Sequence, residues 1–371
     1  MIKSLRTALA AGNQVNVTGL RSSSASLLAA WTAESVQRPV LCVVPNERQT
    51  ELFIQDLRLF TSLPVVAYPG YDIPPYTPLS PDPETVAARL STLYRLVSDS
   101  RPCVTVASCE ALLRRVLPKG ILTGLAELVI SGEEVDQEGL RQRLIDLGYE
   151  HVSLVQNIGD FSFRGNIVDV FPPGYGAPVR LDFFGDTVES LRTFDPVSQR
   201  SIAELEEAVF LPASNILFPA PDSAPERELR ERFYSQGRAS GWNTDKQGQM
   251  LAQIQNRRRF PGIEHYLPLF YESLSLITDF LAPSTLVFSI DPLEIRRSMR
   301  LCWERIRANH DEALTTATPA LPPAQLFLAS ALATAPGSLL HWEGQVAPEP
   351  GRTTGKCAAR WKRTSNMKVL S

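Results

Sequence analysis

One stretch of this sequence has the layout of a phosphate-binding loop. "VTGLRSSSAS", residues 17–26, follows an apolar run and leads into the helical pattern "LLAAWTAESV". In a P-loop, GxxxxGK[ST], backbone N–H groups cradle phosphates, the lysine neutralises them and the hydroxyl holds Mg²⁺. Aligning Gly19 with the first glycine puts Ser24 at the second, Ala25 at the lysine and Ser26 at the hydroxyl. The turn and the last serine are kept; the flexible glycine and the cation are not. Spacing alone favours a Ser-capped helix start without ligand, with weak anion binding at the helix end as the other reading. Hydrolysis would also need a carboxylate pair at a strand end. In "TLVFSIDPLE", Asp291 closes an apolar strand, but Pro292 stands where a glutamate would be needed. Asp-Pro is equally a good turn and helix start.

Other chemistry-bearing patterns are weaker. The sequence has no GxSxG and no HExxH. Its Cys42, Cys103, Cys109, Cys302 and Cys357 are scattered without a CxxC pair, so no metal site is expected and free thiols suit the cytoplasm. "HDEAL" at 310–314 lies in a polar helical stretch and reads as a solvated face. "RRR" at 257–259 reads as helix-dipole complement and solvated charge.

The elements that would position these residues begin with alternating strands and helices. "VNVTG", "VLCVVP", "PVVAYP" and "PCVTVAS" read as strands. "NERQTELFIQDLRLF" reads as a helix capped by Asn46, its apolar face formed by Leu52, Phe53, Asp56, Leu57 and Phe60. "SPDPETVAARLSTLYRLVSD" is a second helix, with Val86, Leu90, Leu93, Leu96 and Val97 on one stripe. Such alternation predicts a parallel α/β sheet. Near residue 125 the pattern changes to a strand, a short helix and closely spaced strands with Gly, Pro and Asp turns. Helical patterns return after about residue 212, interrupted by the strand-like "STLVFSID". The expected organisation is an α/β lobe over 1–124 and 213–345, a small α+β antiparallel-sheet domain inserted at 125–212, and a disordered basic tail at 346–371.

Composition bounds the function. The 371 residues are 44% hydrophobic and 21% charged, ordinary for globular domains. No apolar run is long enough to span a membrane, and "MIKSLRTALAAGNQ" reads as an amphipathic helix and not a signal peptide. The formal charge of −3 divides into +5 from residue 346 onward and −8 before it. An acidic body is a poor sequence-independent binder of nucleic acid. The basic tail is open to two readings, a solvated end or a nucleic-acid contact.

Several stretches together resemble a known family. "GDFSFRGNIVDVFPPG" and "VRLDFFGDTVESLRTFDPVSQRS" are similar to the small domain shared by UvrB and the transcription-repair coupling factors, the Mfd family. "YPGYDIPPYTPLSPDPETVAARLSTLYRL", "PCVTVASCEALLRRVLP" and "FPGIEHYLPLFY" resemble the flanking parts. The details favour the Mfd family over UvrB, and the resemblance covers about residues 5–345. It implies a degenerate helicase-like lobe of RecA/P-loop type carrying the small domain. It also implies docking of UvrA, the damage-recognition ATPase of nucleotide excision repair. Family members continue into an RNA-polymerase-binding domain and an ATP- and Mg-dependent DNA translocase. Those parts do not fit in 371 residues, so the chain is expected to be a fragment or a truncated homologue, with no cofactor of its own and with RNA polymerase and DNA as partners only through the downstream domains. The alternative is a UvrB-like ATP-dependent binder of damaged DNA.

The residues make a physical case for docking. Alternation along "VRLDFF" puts Leu181 and Phe183 in the core and Arg180, Asp182 and Phe184 on the opposite face. An exposed aromatic beside an arginine is a common interface anchor. Arg164, before a glycine in "FSFRGN", joins them if the two strands are near neighbours. By resemblance, Arg164, Arg180 and Phe184 match UvrA-binding positions, with Asp182 a fourth contact or an intramolecular partner for an arginine. The competing reading is an Arg–Asp cross-strand pair beside a half-buried Phe.

Overall fold

Three strands carry apolar runs without polar alternation: VLCVV at 40–44, VTVAS at 104–108 and LVFSI at 286–290, and every one of their residues is buried. Strands covered on both faces by helices read this way. The computed structural model describes residues 15–20 and 23–328, and the backbone of 339–343. The expected N-terminal helix, Cys357 and the 346–371 tail lie outside the described residues.

From the N-terminal side, β1 (Val15–Thr18) leads through Gly19 to α1 (Ser24–Val36), then β2 (Val40–Val44), α2 (Glu47–Phe60), β3 (Val65–Tyr68), α3 (Pro83–Ser98), β4 (Val104–Ser108) and α4 (Cys109–Leu113). The middle of the chain holds β5 (Glu127–Ile130), α5 (Gln137–Asp146), β6 (Glu150–His151), β7 (Asp160–Arg164), β8 (Ile167–Val170), β9 (Val179–Phe184), β10 (Thr187–Phe194), β11 (Ser201–Leu205) and β12 (Glu207–Phe210). Then come α6 (Ala224–Ser240), α7 (Thr244–Gln255), β13 (Leu286–Ile290), α8 (Pro292–Thr315) and β14 (Leu339–Glu343), with short helical turns between them.

The first and last strands form one six-stranded sheet in the order β1-β14-β13-β2-β4-β3, every pairing parallel. Alternate residues feed two cores. Val40, Cys42, Val44, Leu286 and Phe288 pack under α1 and α2 with Ala29, Ala33, Phe53, Ile54 and Leu57. Leu41, Val43 and Val287 face the other way, against α3, α6 and α8 with Leu90, Leu93, Phe233 and Ile295. Each buried Leu, Val or Phe contributes roughly 1.5–3 kcal/mol. Truncating Leu57 or Leu93, both at 0% exposure, is expected to cost about 2–5 kcal/mol.

Helix α2 corrects the sequence reading of its face. Thr50, Phe53, Ile54 and Leu57 are buried, while Leu52 and Phe60 are exposed. Thr50 enters the core because its hydroxyl donates to the Asn46 carbonyl, 3.3 Å away, within its own helix. Asn46 caps the helix as expected, accepting from the Gln49 N–H at 3.0 Å. Cys42, Cys103, Cys109 and Cys302 are buried free thiols.

The middle strands form a second six-stranded sheet in the order β11-β10-β9-β8-β7-β6, antiparallel except for the β6–β7 pair. One face buries Phe161, Val168, Val170, Val179, Leu181, Phe183, Val188 and Leu191 against Leu140 and Leu144 of α5. The antiparallel ribbon of β5 and β12 adds Val129, Ala208 and Phe210 to the same core. Of the arginines at 257–259, Arg258 is solvent-exposed as expected, while Arg257 and Arg259 also make specific contacts. Arg257 pairs with Asp146 at the end of α5, 2.7 Å away, and Arg259 donates to the Gly148 carbonyl at 3.1 Å. They tie the end of α7 to the antiparallel unit.

Candidate functional site

Two tight hairpins set the geometry of the β7–β9 end. Arg164 pairs with Ile167 across the two-residue turn Gly165–Asn166, and Phe184 pairs with Thr187 across Gly185–Asp186. Gly165 (φ +60°) and Gly185 (φ +61°) occupy the left-handed region that two-residue hairpin turns require. Strands β7 and β9 both run antiparallel to β8, so they point the same way and both turns lie at one end of the sheet.

Strand β9 divides as its sequence predicts. Leu181 and Phe183 are buried, and Phe184 is 77% exposed. Arg180 and Asp182 are only half-buried, less open than the sequence suggests. The reason is Asp169, which stands opposite Arg180 on β8 and is 1% exposed. Its Oδ1 accepts from Arg180 Nε at 2.6 Å, and its Oδ2 accepts from Arg180 Nη2 at 2.9 Å and from Arg164 Nη2 at 2.5 Å. Charged, forked bonds of this kind are short and geometrically demanding. Hydrogen bonding to Asp169 raises the Arg180 pKa above its ordinary value. Arg180 also donates to Gln199 Oε1 at 3.0 Å and lies 4.3 Å over the Phe194 ring.

Asp182 is an intramolecular partner, but not for Arg180. It accepts from Arg192 in an ion pair and from Ser190 Oγ at 2.8 Å. At this corner Phe184 and Arg164, whose side chain is 45% exposed, stand open together with the exposed turn residues Asn166 and Asp186. The half-buried Phe of the competing reading is not found.

The phosphate-loop residues meet a different environment. Gly19 makes a left-handed turn after β1 (φ +81°), and Ser24 begins α1. Ala25, at the lysine position, is 4% exposed and packs in the core under α1. Ser26, at the hydroxyl position, is buried and its hydroxyl lies 3.4 Å from Asp56 Oδ2 on α2. Asp291 follows β13 in a left-handed conformation (φ +56°) and accepts from the Glu294 N–H at 3.3 Å as the N-cap of α8. Gly19 and Asp291 lie at the carboxyl ends of parallel strands, where open sheets bind ligands. Among the described residues of this set there is no cation, and Asp291 is engaged as a helix cap. Among the described residues, no cluster of His, Cys, Asp and Glu could hold a metal, and no helix is long and apolar enough to cross a membrane.

Residues 129–216 match the family model of the UvrB interaction domain. The chain is 33% identical over 332 residues to the transcription-repair-coupling factor of Myxococcus xanthus, covering 86% of this chain and 27% of the relative. It is 31% identical over 320 residues to that of Escherichia coli, with 86% and 27% covered. The Bacillus subtilis protein of the same name is 28% identical over 284 residues, with 73% and 24% covered.

The chain belongs to the transcription-repair coupling factor family. It spans about a quarter of the length of the curated relatives it matches. Within this family member the matched domain contains Arg164, Arg180, Asp182 and Phe184, and excludes the Gly19–Ser26 loop and Asp291. The structure places the first group on one face of the antiparallel sheet, with Arg164 and Phe184 toward the turns and Arg180 toward the other end, and leaves the second on the parallel sheet. Sequence reasoning missed Asp169 and Gln199. Asp169 had a signal, since alternation in "IVDV" puts it opposite Val168 and Val170, on the face of the arginines.

Proposed function

We propose that this chain is a non-catalytic docking module that recruits UvrA for transcription-coupled nucleotide excision repair. The observation that carries the reading is the Phe184 ring, 77% exposed at the tip of a rigid hairpin. A large aromatic on the polar face of a sheet contributes nothing to its own core, and aromatics with arginines dominate interface energetics. Arg164, tethered at one nitrogen by Asp169, stands on the same sheet face as that ring, two strands away. The match over 129–216 supports the same location.

The parallel sheet is read as a helicase-like lobe of the RecA type that has given up nucleotide chemistry. Ala25 at the lysine position and Pro292 beside Asp291 support that reading. Neither ATP nor Mg²⁺ is then a cofactor of this chain. RNA polymerase, DNA and ATP enter only through the further domains that the resemblance implies for the full-length family, in the cytoplasm.

Titration with UvrA tests the docking claim. Phe184→Ala and Arg164→Ala are each expected to weaken binding about 30-fold, equivalent to roughly 2 kcal/mol. Unchanged affinity in both variants refutes the site. Titration with Mg-ATP separates the module from a UvrB-like ATP-dependent binder of damaged DNA. Micromolar ATP affinity with turnover would establish the latter.

A further inference from the structure

Two arginines of the parallel-sheet body are buried without a carboxylate. Arg89 on α3 is 2% exposed and Arg114, just after α4, is 7% exposed. Both guanidinium groups lie over the ring of Tyr71, at 4.8 and 4.4 Å from its centroid. Arg89 donates to the Pro69 carbonyl at 2.5 Å and to the Tyr68 hydroxyl at 2.6 Å. Arg114 donates to the Glu264 carbonyl at 3.3 Å. Among the described residues, neither arginine has a carboxylate within ion-pair distance.

Both side chains line one cavity of about 20 Å³, with Tyr71, Glu110, Cys302 and Phe327 among its walls. Glu110 is the acidic residue of that lining, and Arg305 engages its carboxylate in an ion pair. The Glu264 carboxylate accepts from Ser80 and lies beyond ion-pair distance of Arg114. The cavity wall therefore carries an excess of positive charge. Burial lowers the Arg114 pKa, and the neighbouring Arg89 charge adds to the effect. Aromatic faces and carbonyls offset only part of the cost of burying two like charges.

We propose that the cavity lined by Arg89 and Arg114 is a binding site for a single small inorganic anion of halide size. A volume of about 20 Å³ has room for one water-sized species. The bound anion offsets one of the two positive charges and braces Tyr71. The Tyr71 hydroxyl accepts from Asn215 Nδ2 at 2.7 Å, and the Asn215 carbonyl accepts from Tyr271 at 2.8 Å. Asn215 lies where the chain returns from the antiparallel unit, so occupancy firms that junction.

The test follows thermal unfolding of the 371-residue chain at constant ionic strength, with sodium bromide or chloride replacing sodium gluconate. The expected result is a rise in Tm of a few degrees that saturates as a single site, as mass action requires. Arg114→Met is expected to abolish the saturating component. Anomalous scattering from wild-type crystals soaked in bromide is expected to show a peak in the cavity lined by Arg89 and Arg114, which keeps the proposal testable if the variant does not fold. Equal Tm values in all salts overturn it. So does a saturating shift without that peak, or a shift retained in a folded Arg114→Met variant. A peak without a saturating shift is binding at crystal concentration only, and overturns it as well.

Discussion

Replacing Asp169 by alanine removes the only carboxylate that Arg180 touches among the described residues. The Arg180 side chain is 14% exposed, so it cannot recover full hydration. Gln199 is left as its remaining polar partner, and Gln199 carries no charge. Breaking a buried pair by removing one member costs about 3–5 kcal/mol. The bond to Arg164 adds no more than about 1 kcal/mol, because that side chain is 45% exposed and well screened. Asp169→Ala is therefore expected to destabilise the chain by about 3–5 kcal/mol. Urea unfolding measures this as a lower midpoint at unchanged slope. The double variant Asp169→Ala/Arg180→Met removes both charges and is expected to recover most of the loss, since deleting both partners of a buried pair is often close to neutral. A loss under about 1 kcal/mol in the single variant refutes the reasoning. So does a double variant no more stable than the single one, because the cost would then arise from packing and not from a stranded charge.

Phe184→Ala is expected to shift the urea midpoint by less than about 0.5 kcal/mol, in contrast to its effect on UvrA affinity, because an exposed ring leaves no cavity. Gly165→Val is expected to cost about 1–2 kcal/mol and Gly165→Asn distinctly less, measured by the same unfolding. The space around Gly165 is open, so its φ of +60° alone sets the penalty. Burial, together with the Arg114 charge, lowers the pKa of His265 to about 3. Its Nε2 bonds the Thr77 carbonyl at 3.0 Å, and its Nδ1 is buried without a partner. The folded pKa lies below the unfolded one, so the unfolded chain binds the extra proton first. Stability from this group is complete above about pH 6.5 and falls toward pH 3, by up to about 1.4 kcal/mol per pH unit. His265→Gln should flatten the acid limb of the stability–pH curve by that slope, and an unchanged limb refutes the assignment.

The parallel strands β2, β4 and β13 were legible because burial on both faces leaves an unbroken apolar run, and the two faces of β9 were legible because one-sided burial leaves alternation. Helix α2 was misread for a physical reason. Hydrophobicity marked Leu52 and Phe60, but a threonine whose hydroxyl bonds its own helix backbone can replace a leucine in the core. The neighbours of β1 were not legible, since β14 pairs with it from more than 300 residues away. At the candidate site, the aromatic and Arg180 could be placed from strand period alone, whereas Arg164 depended on the order β9-β8-β7. Their electrostatics could not. The carboxylate that organises them lies on β8, and only the register Asp169↔Arg180 joins the two strands. Arg89 and Arg114 were illegible in the same way, because an arginine on a helical stripe looks solvated until the elements covering it are known.

That organising carboxylate bears on what the docking face can do. A buried ion pair is weak support for stability, because hydrophobic residues of similar volume often serve as well. Its stronger consequence here is orientation. A free arginine loses rotamer freedom when a partner immobilises it, roughly 0.5–1.5 kcal/mol per long side chain. Arg164 has already lost part of that freedom to Asp169, and Phe184 sits on a two-residue turn that restricts its backbone. On the proposed docking both groups would reach a partner pre-organised, while Arg180, held from three sides, acts as the wall that fixes Asp169. The roles of the two arginines therefore differ. Arg164→Ala should act on UvrA affinity with little change in folding, and Arg180→Ala should act on both, because it strands a buried carboxylate under the contact surface.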